Sequence, residues 1–304
     1  MSANDLNLVL SPLADPVVSA MYPNVEKAGL AMGSLINSTL KEDNQQLDGE
    51  IESVTPQSSY TDVENRGCRV DIETRTNVNS RVITQIQINP DPRIMIRNIF
   101  EASHIFVGTS TKGDDHAALV ANMPRIIFIN ILTYNLRKSN KDLVQPYKVL
   151  YTKEPTEVAI PHFSGYNIQL HRIPDMTPDF TNDLFCWGYT LYTAHKKEMT
   201  IKEVLAMTPQ LQEYAERDLG YQQFCDRYDF ASADAKTRRE YMLWAKNRMR
   251  EEGERDWIKK EAMEEVALAM LKLKRPINEI ALVTGLSVEE VEALKNSLTL
   301  ILPV

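Results

Sequence analysis

The stretch Arg69-Val-Asp-Ile-Glu-Thr-Arg-Thr-Asn-Val-Asn-Ser-Arg-Val-Ile-Thr-Gln-Ile-Gln87 decides the fold. Its first arm alternates with period two, so Arg69, Asp71, Glu73 and Arg75 share one face while Val70, Ile72 and Thr74 share the other. In the second arm Arg81, Ile83, Gln85 and Gln87 share a face, and Val82, Thr84, Ile86 and Ile88 lie opposite. The residues between, Asn77 to Ser80, are suited to a turn, and the whole reads as a β-hairpin. Directly opposed residues of an antiparallel pair face the same side, so the apolar sets meet only if paired residue numbers have an even sum. A two-residue loop at Val78-Asn79 breaks that parity. A three-residue loop, Val78 to Ser80, satisfies it and sets Ile72 opposite Ile86, Glu73 opposite Gln85 and Asp71 opposite Gln87. The plain reading of the resulting polar patch is a solvated sheet face with cross-strand pairs. The alternative is a site.

Working outward, residues 24–40 have helical spacing through Leu30, Met32, Leu35 and Ile36, and a strand is expected near residues 50–54. Asp91-Pro92 suits a helix start, and Ile94, Ile96, Ile99 and Phe100 give the following helix a broad apolar face. The β-branched, almost continuously apolar run from Arg125 to Leu132 fits a buried parallel or central strand. Beyond about residue 178 the chain becomes helical and charged. Short helices are expected at 201–207 and 211–228, and one or two long ones at 235–274, with Gly253 a candidate break. Residues 276–298 have the outline of a helix-turn-helix around Thr284-Gly285-Leu286, capped by Ser287. Its second helix offers Glu289, Glu290 and Glu292 against Lys295, so a packing hairpin fits as well as a DNA reader.

The chain has 304 residues, 43% of them hydrophobic, enough for a sizeable core. Its formal net charge of −8 is unusual for an avid nucleic-acid binder. Residues 91–180 are more balanced than residues 1–90, so any DNA contact depends on local cations such as Arg93, Arg97, Lys112 and Arg125 and should be salt-sensitive. Cys68, Cys186 and Cys225 are too few and too scattered for a disulfide framework or a Cys-rich zinc site, which fits a reducing cytoplasm. The N-terminus lacks a basic leader and no apolar run approaches membrane-spanning length. Neither a phosphate-cradling glycine loop nor a GxSxG motif occurs, which disfavours a nucleotide cofactor and a hydrolase triad. His104 and His116 are the histidines nearest acids, and packing or solvent exposure accounts for both. Self-association is left open.

A strand bearing Asp71, a turn, and a second strand ending in Gln85-Ile-Gln87 resembles the PD-(D/E)XK nucleases, and more narrowly the recombination-promoting nuclease and transposase family. The order of further segments is similar to that family: Ser11 to Val18, Gly33 to Leu40, the helix bearing Arg97, Gly113-Asp-Asp-His116 before Met123 to Leu132, Tyr166 to Pro174, and the tail Ala281 to Glu290. The resemblance implies an α/β fold, a restriction-endonuclease-like mixed sheet flanked by helices, over residues 1–195. A charged helical extension at 196–265 and a small helical hairpin at 266–304 would follow. It also implies Mg²⁺ or another divalent cation held by Asp71 and the residue at 85, with Gln87 orienting a water, DNA as substrate, and Arg97 and Arg93 as DNA contacts. Gln85 stands where the family pattern has Glu, and an amide contributes no charge. Three readings follow: a non-catalytic DNA- or protein-binding module on a nuclease scaffold, a weak enzyme relying on Asp71, or an active one whose second carboxylate comes from elsewhere. Glu73 is the nearest replacement; Glu101 and Asp15 are more remote.

Overall fold

The computed structural model describes residues 8–22, 25–61, 67–109, 115–136 and 141–301, with backbone alone at 25–28, 61, 67 and 297–301. Helices α1 (Asp15–Met21) and α2 (Val25–Lys41) lead into strands β1 (Ile51–Pro56), β2 (Ser59–Thr61) and β3 (Gly67–Arg69). The hairpin follows as β4 (Ile72–Thr76) and β5 (Ser80–Gln87). Next come α3 (Ile94–Thr109), α4 (His116–Ala121), β6 (Arg125–Leu132), β7 (Val144–Lys148), β8 (Phe163–Gln169) and a 3-10 turn, Leu170–Asp175. The rest is helical: α5 (Asp183–Lys196), α6 (Ile201–Met207), α7 (Pro209–Arg217), α8 (Leu219–Ala233), α9 (Ala235–Lys272), α10 (Ile277–Thr284) and α11 (Val288–Ile301).

Six strands form one mixed sheet in the order β1-β4-β5-β6-β8-β7. β5, β6 and β8 run parallel, and β1, β4 and β7 are antiparallel to their neighbours. A sheet with parallel strands at its centre is covered on both faces, which is why Arg125 to Leu132 is apolar almost throughout. α3 covers one face, where Ala102 and Ile105 meet Val70, Ile83, Phe128 and Phe163. Ile72, Thr84, Ile86 and Ile131 face the other side, toward Met21, Met32, Leu35 and Trp187 from α1, α2 and α5.

The hairpin has the expected parity and a different register. Ile72 pairs with Thr84, Glu73 with Ile83 and Arg75 with Arg81, so the three-residue loop is Asn77 to Asn79, one position earlier than expected. Asn79 adopts φ of 62°, the left-handed conformation that lets so short a loop close, and asparagine tolerates it better than most residues. The Thr76 hydroxyl accepts from the Ser80 amide at 3.1 Å and locks this alternative. Continued outward, the register sets Asp71, not Glu73, opposite Gln85. A bend at Asp71 also ends the alternation, so Val70 joins the core under α3 instead of sharing the face of Ile72.

α3 buries a different stripe from the one its apolarity suggests. Ile94, Asn98, Glu101, Ala102 and Ile105 face the sheet, while Ile96, Ile99 and Phe100 are exposed. The expected helix at 211–228 is two helices, α7 and α8, separated at Asp218, whose carboxylate accepts from the Tyr221 amide at 2.8 Å and caps α8. Gly220 lies where α8 meets α2, and a Cβ there would sit 2.6 Å from Ser34 Cβ and press on the Leu30 carbonyl. Gly220→Ala is therefore expected to cost about 1–3 kcal/mol through forced separation of the two helices, read as a lower midpoint in thermal or urea unfolding.

Residues 1–241 form one compact unit and 242–304 a second. In the second unit Ala267 of α9 packs with Ile280 of α10, Leu286 of the turn that follows it and Val291 of α11. Gly285 turns the chain at φ of 71°, and Ser287 and Glu290 cap α11 reciprocally, side chain to backbone, at 2.9 and 3.1 Å. α9 runs unbroken through Gly253; the i,i+4 pairs Arg248–Glu252 at 2.8 Å and Arg250–Glu254 at 3.8 Å bracket that weak point.

Candidate active site

At the sheet end of the hairpin, β5 and α3 bring together the groups with hydrolytic potential. Asp71 enters β4, and its carboxylate accepts from the Ile86 backbone N–H at 2.7 Å, which fixes it against the neighbouring strand. Gln85 is fully buried on the face beneath α3. Its amide nitrogen donates to Glu101, which α3 delivers one turn beyond Arg97. Arg97 Nε donates to the other Glu101 oxygen at 2.9 Å. Gln87 completes the line, its Nε2 donating to Gln85 Oε1 at 3.4 Å.

Burial pushes the Asp71 carboxyl up to about 6, against the Ile86 amide, with the negative charge of nearby Asp15 pushing the same way. Burial also raises Glu101, against Arg97, and the charge of Asp71 raises it further. The two carboxylates thus feel each other in a poorly solvated site with Arg97 as counter-charge. Cys68 lies in the same field; burial and then Glu101 push its thiol up to about 11, so it stays protonated.

Glu73 is engaged differently. Its carboxylate accepts from Arg75 Nε at 2.7 Å, Arg81 at 3.1 Å and the Ser58 hydroxyl at 2.7 Å, and the side chain is wholly buried. Burial opposes its ionisation, but the hydrogen bonds and charge from Arg75 dominate and hold it below the usual carboxylate range. A carboxylate that already serves two guanidinium groups has little donor capacity left for a cation. Arg93 is mostly exposed and holds Asp91 at 3.0 Å. Arg125 is bonded to Asp48. Lys112, Gly113 and Asp114 lie outside the described residues. His104 Nδ1 contacts the Phe100 carbonyl, and His116 begins α4.

A row of buried amides went unnoticed in the sequence. Gln85, Asn130 and Asn167 are register partners across β5, β6 and β8, and Gln145 of β7 pairs with Asn167. Asn130 Nδ2 donates to Asn167 at 2.8 Å, while Asn98 of α3 donates to Asn130 at 3.3 Å and to the Tyr147 hydroxyl at 2.6 Å. Buried amides left unpaired carry a cost; Asn98 Nδ2 and Glu101 tie α3 to this row at two points, while Asn98 Oδ1 has no partner among the described residues. The signal was available: Asn130 is the lone polar residue in Ile126 to Leu132.

The donors at Asp71, Glu101 and Gln85 are all oxygens if the Gln85 amide turns, and two carboxylates with waters suit a hard cation such as Mg²⁺. Among the described residues no cluster of three His, Cys, Asp or Glu side chains is placed to hold a metal. Asp71 and Glu101 are two carboxylates beside a neutral amide, one acid short of such a cluster. Among the described residues, no helix is long and apolar enough to cross a membrane. A family model described as PD-(D/E)XK nuclease family transposase matches residues 24–260. No curated protein and no solved structure matches the chain.

Proposed function

The chain belongs to the PD-(D/E)XK nuclease family transposases, and on that premise we propose that it is a divalent-cation-dependent DNA endonuclease whose second carboxylate sits on the helix instead of the strand. The observation that carries this reading is the contact between Gln85 and Glu101. Glu101 places its charge beside the strand position where the family pattern has Glu. Asp71 and Glu101 would hold Mg²⁺, with the Gln85 carbonyl oxygen as neutral third donor. A bound Mg²⁺ would polarise the phosphodiester and acidify a water. Gln87 would orient that water by hydrogen bonding. Arg97 holds Glu101 in place from its partly exposed position, and Arg93 supplies an outer cation for a phosphate.

One observation favours a second reading. Gln85 donates to Glu101, so the amide satisfies the buried carboxylate without any cation. A chain using the pair only in this way would be a DNA- or protein-binding module on the nuclease scaffold.

Nicking of supercoiled plasmid separates the two. The wild type is expected to nick with Mg²⁺ or Mn²⁺, to stop when the cation is chelated, and to lose activity in Asp71→Ala. The same cations should raise the unfolding midpoint of the wild type and leave that of Asp71→Ala unmoved. Nicking that survives Asp71→Ala would sink the assignment. A folded wild type that retains salt-sensitive DNA binding, never nicks and gains no stability from either cation would establish the second reading.

A further inference from the structure

Nearly three turns of α9 are exposed, with Lys260 tied to Glu290 at 2.7 Å. Residues 253–262 are exposed without interruption, including Trp257 at 64% and Ile258 at 59%, and Met249 four residues before Gly253 is 73% exposed. On the helix face that carries Met249, Gly253 and Trp257, the charged residues are Lys246 and Arg250 before the glycine and Asp256 and Lys260 after it.

We propose that this segment pairs with the same segment of a second copy of the chain, antiparallel, about a two-fold axis at Gly253. Arg250 and Asp256 decide the direction. In a parallel pair each would face its own sign; in an antiparallel pair Arg250 of one helix meets Asp256 of the other. A two-fold contact is self-complementary, so residues equally far before and after the axis meet. At 100° per residue, Met249, Arg250, Gly253, Asp256 and Trp257 fall on one face. Around Gly253, Met249 then packs on Trp257 of the partner, and Arg250 meets the partner's Asp256. Lys246 comes opposite the partner's Lys260, whose charge Glu290 already carries at 2.7 Å. No side chain lies within 4 Å of where a Gly253 Cβ would be, and its absence lets two backbones approach at the crossing. The surface therefore has the Met249–Trp257 contact near its centre and the Arg250–Asp256 pair beside it, each occurring twice by symmetry.

The test uses the full chain with Cys68→Ser, since Cys186 and Cys225 are buried. Light scattering is expected to give a dimer, and Met249→Glu with Trp257→Glu a monomer of unchanged helicity. Met249→Cys combined with Trp257→Cys should form a disulfide-linked dimer on mild oxidation, and neither single variant should. The two positions are about 12 Å apart along one helix, so they cannot bridge within a chain. A monomeric wild type overturns the proposal, as does a dimer that persists in the double Glu variant. Self-crosslinking of Met249→Cys alone would mean a parallel pair and overturns it too.

Discussion

Glu101→Gln is expected to lower cation-supported plasmid nicking by at least about 100-fold, about 2.7 kcal/mol of transition-state stabilisation. Exchanging the two side chains, Gln85→Glu with Glu101→Gln, is expected to return activity to within about tenfold of wild type, a residual of at most about 1.4 kcal/mol. The exchange conserves volume, net charge and the amide–carboxylate hydrogen bond; it moves the charge from helix to strand and leaves Arg97 beside a neutral amide. Gln85→Glu alone gives a distinct outcome. It adds a third buried carboxylate beside Asp71 and Glu101, whose carboxyls burial already raises. The metal-free protein should lose stability and recover it on adding Mg²⁺ or Mn²⁺, because a ligand bound only to the folded state stabilises it. Thermal melts with and without cation, run beside the nicking assay, read both effects. An exchanged variant that is folded, binds cation and remains as inactive as Glu101→Gln would refute the idea that the charge has moved from strand to helix.

Glu73→Gln is expected to be the most destabilising conservative change in the hairpin, costing about 3–5 kcal/mol, because it breaks a buried ion pair from one side. The cost lies mainly with Arg81. Arg75 is 45% exposed and can return to water, whereas Arg81 is 12% exposed and would be left charged without its carboxylate. Denaturant unfolding measures the loss. Replacing both partners, Glu73→Leu with Arg81→Met, should recover most of it, since removing both charges removes the stranded one. The pH dependence has a definite sign. Folding holds Glu73 below its ordinary value of 4.5, so its contribution is full above that value and is lost as pH falls through the lowered one. The gap between wild type and Glu73→Gln should therefore narrow on acidification below about pH 4.5. A gap that widens there would show that Glu73 is buried neutral.

The α/β class, the central strand at Arg125 to Leu132 and the sequence of elements were legible because they rest on periodicity, which local residues determine. The hairpin register was legible only in parity. Two three-residue loops satisfy it, and the choice falls to the backbone of Asn79 and the hydroxyl of Thr76, neither of which alternation reports. The face of α3 was misjudged for a related reason. Hydrophobicity assumes that helices bury apolar residues, but this helix meets a sheet row of Gln and Asn, so Asn98 and Glu101 point inward and Ile96 and Ile99 outward. Asp71 and Gln85 could be named because a motif spans them. Glu101, sixteen residues beyond Gln85, could be named from the sequence only as one acid among several.

The amide row under α3 has a consequence for how such a site changes over generations. An oily seat tolerates a helix that rolls or slips, whereas the paired donors and acceptors of Asn98, Asn130 and Tyr147 accept one rotation and one height. With that seat unchanged, a mutation need not reposition a backbone to keep two carboxylates together; it need only appear on whichever neighbour already points inward. The amides thus set the height and rotation at which Asn98 and Glu101 reach the sheet.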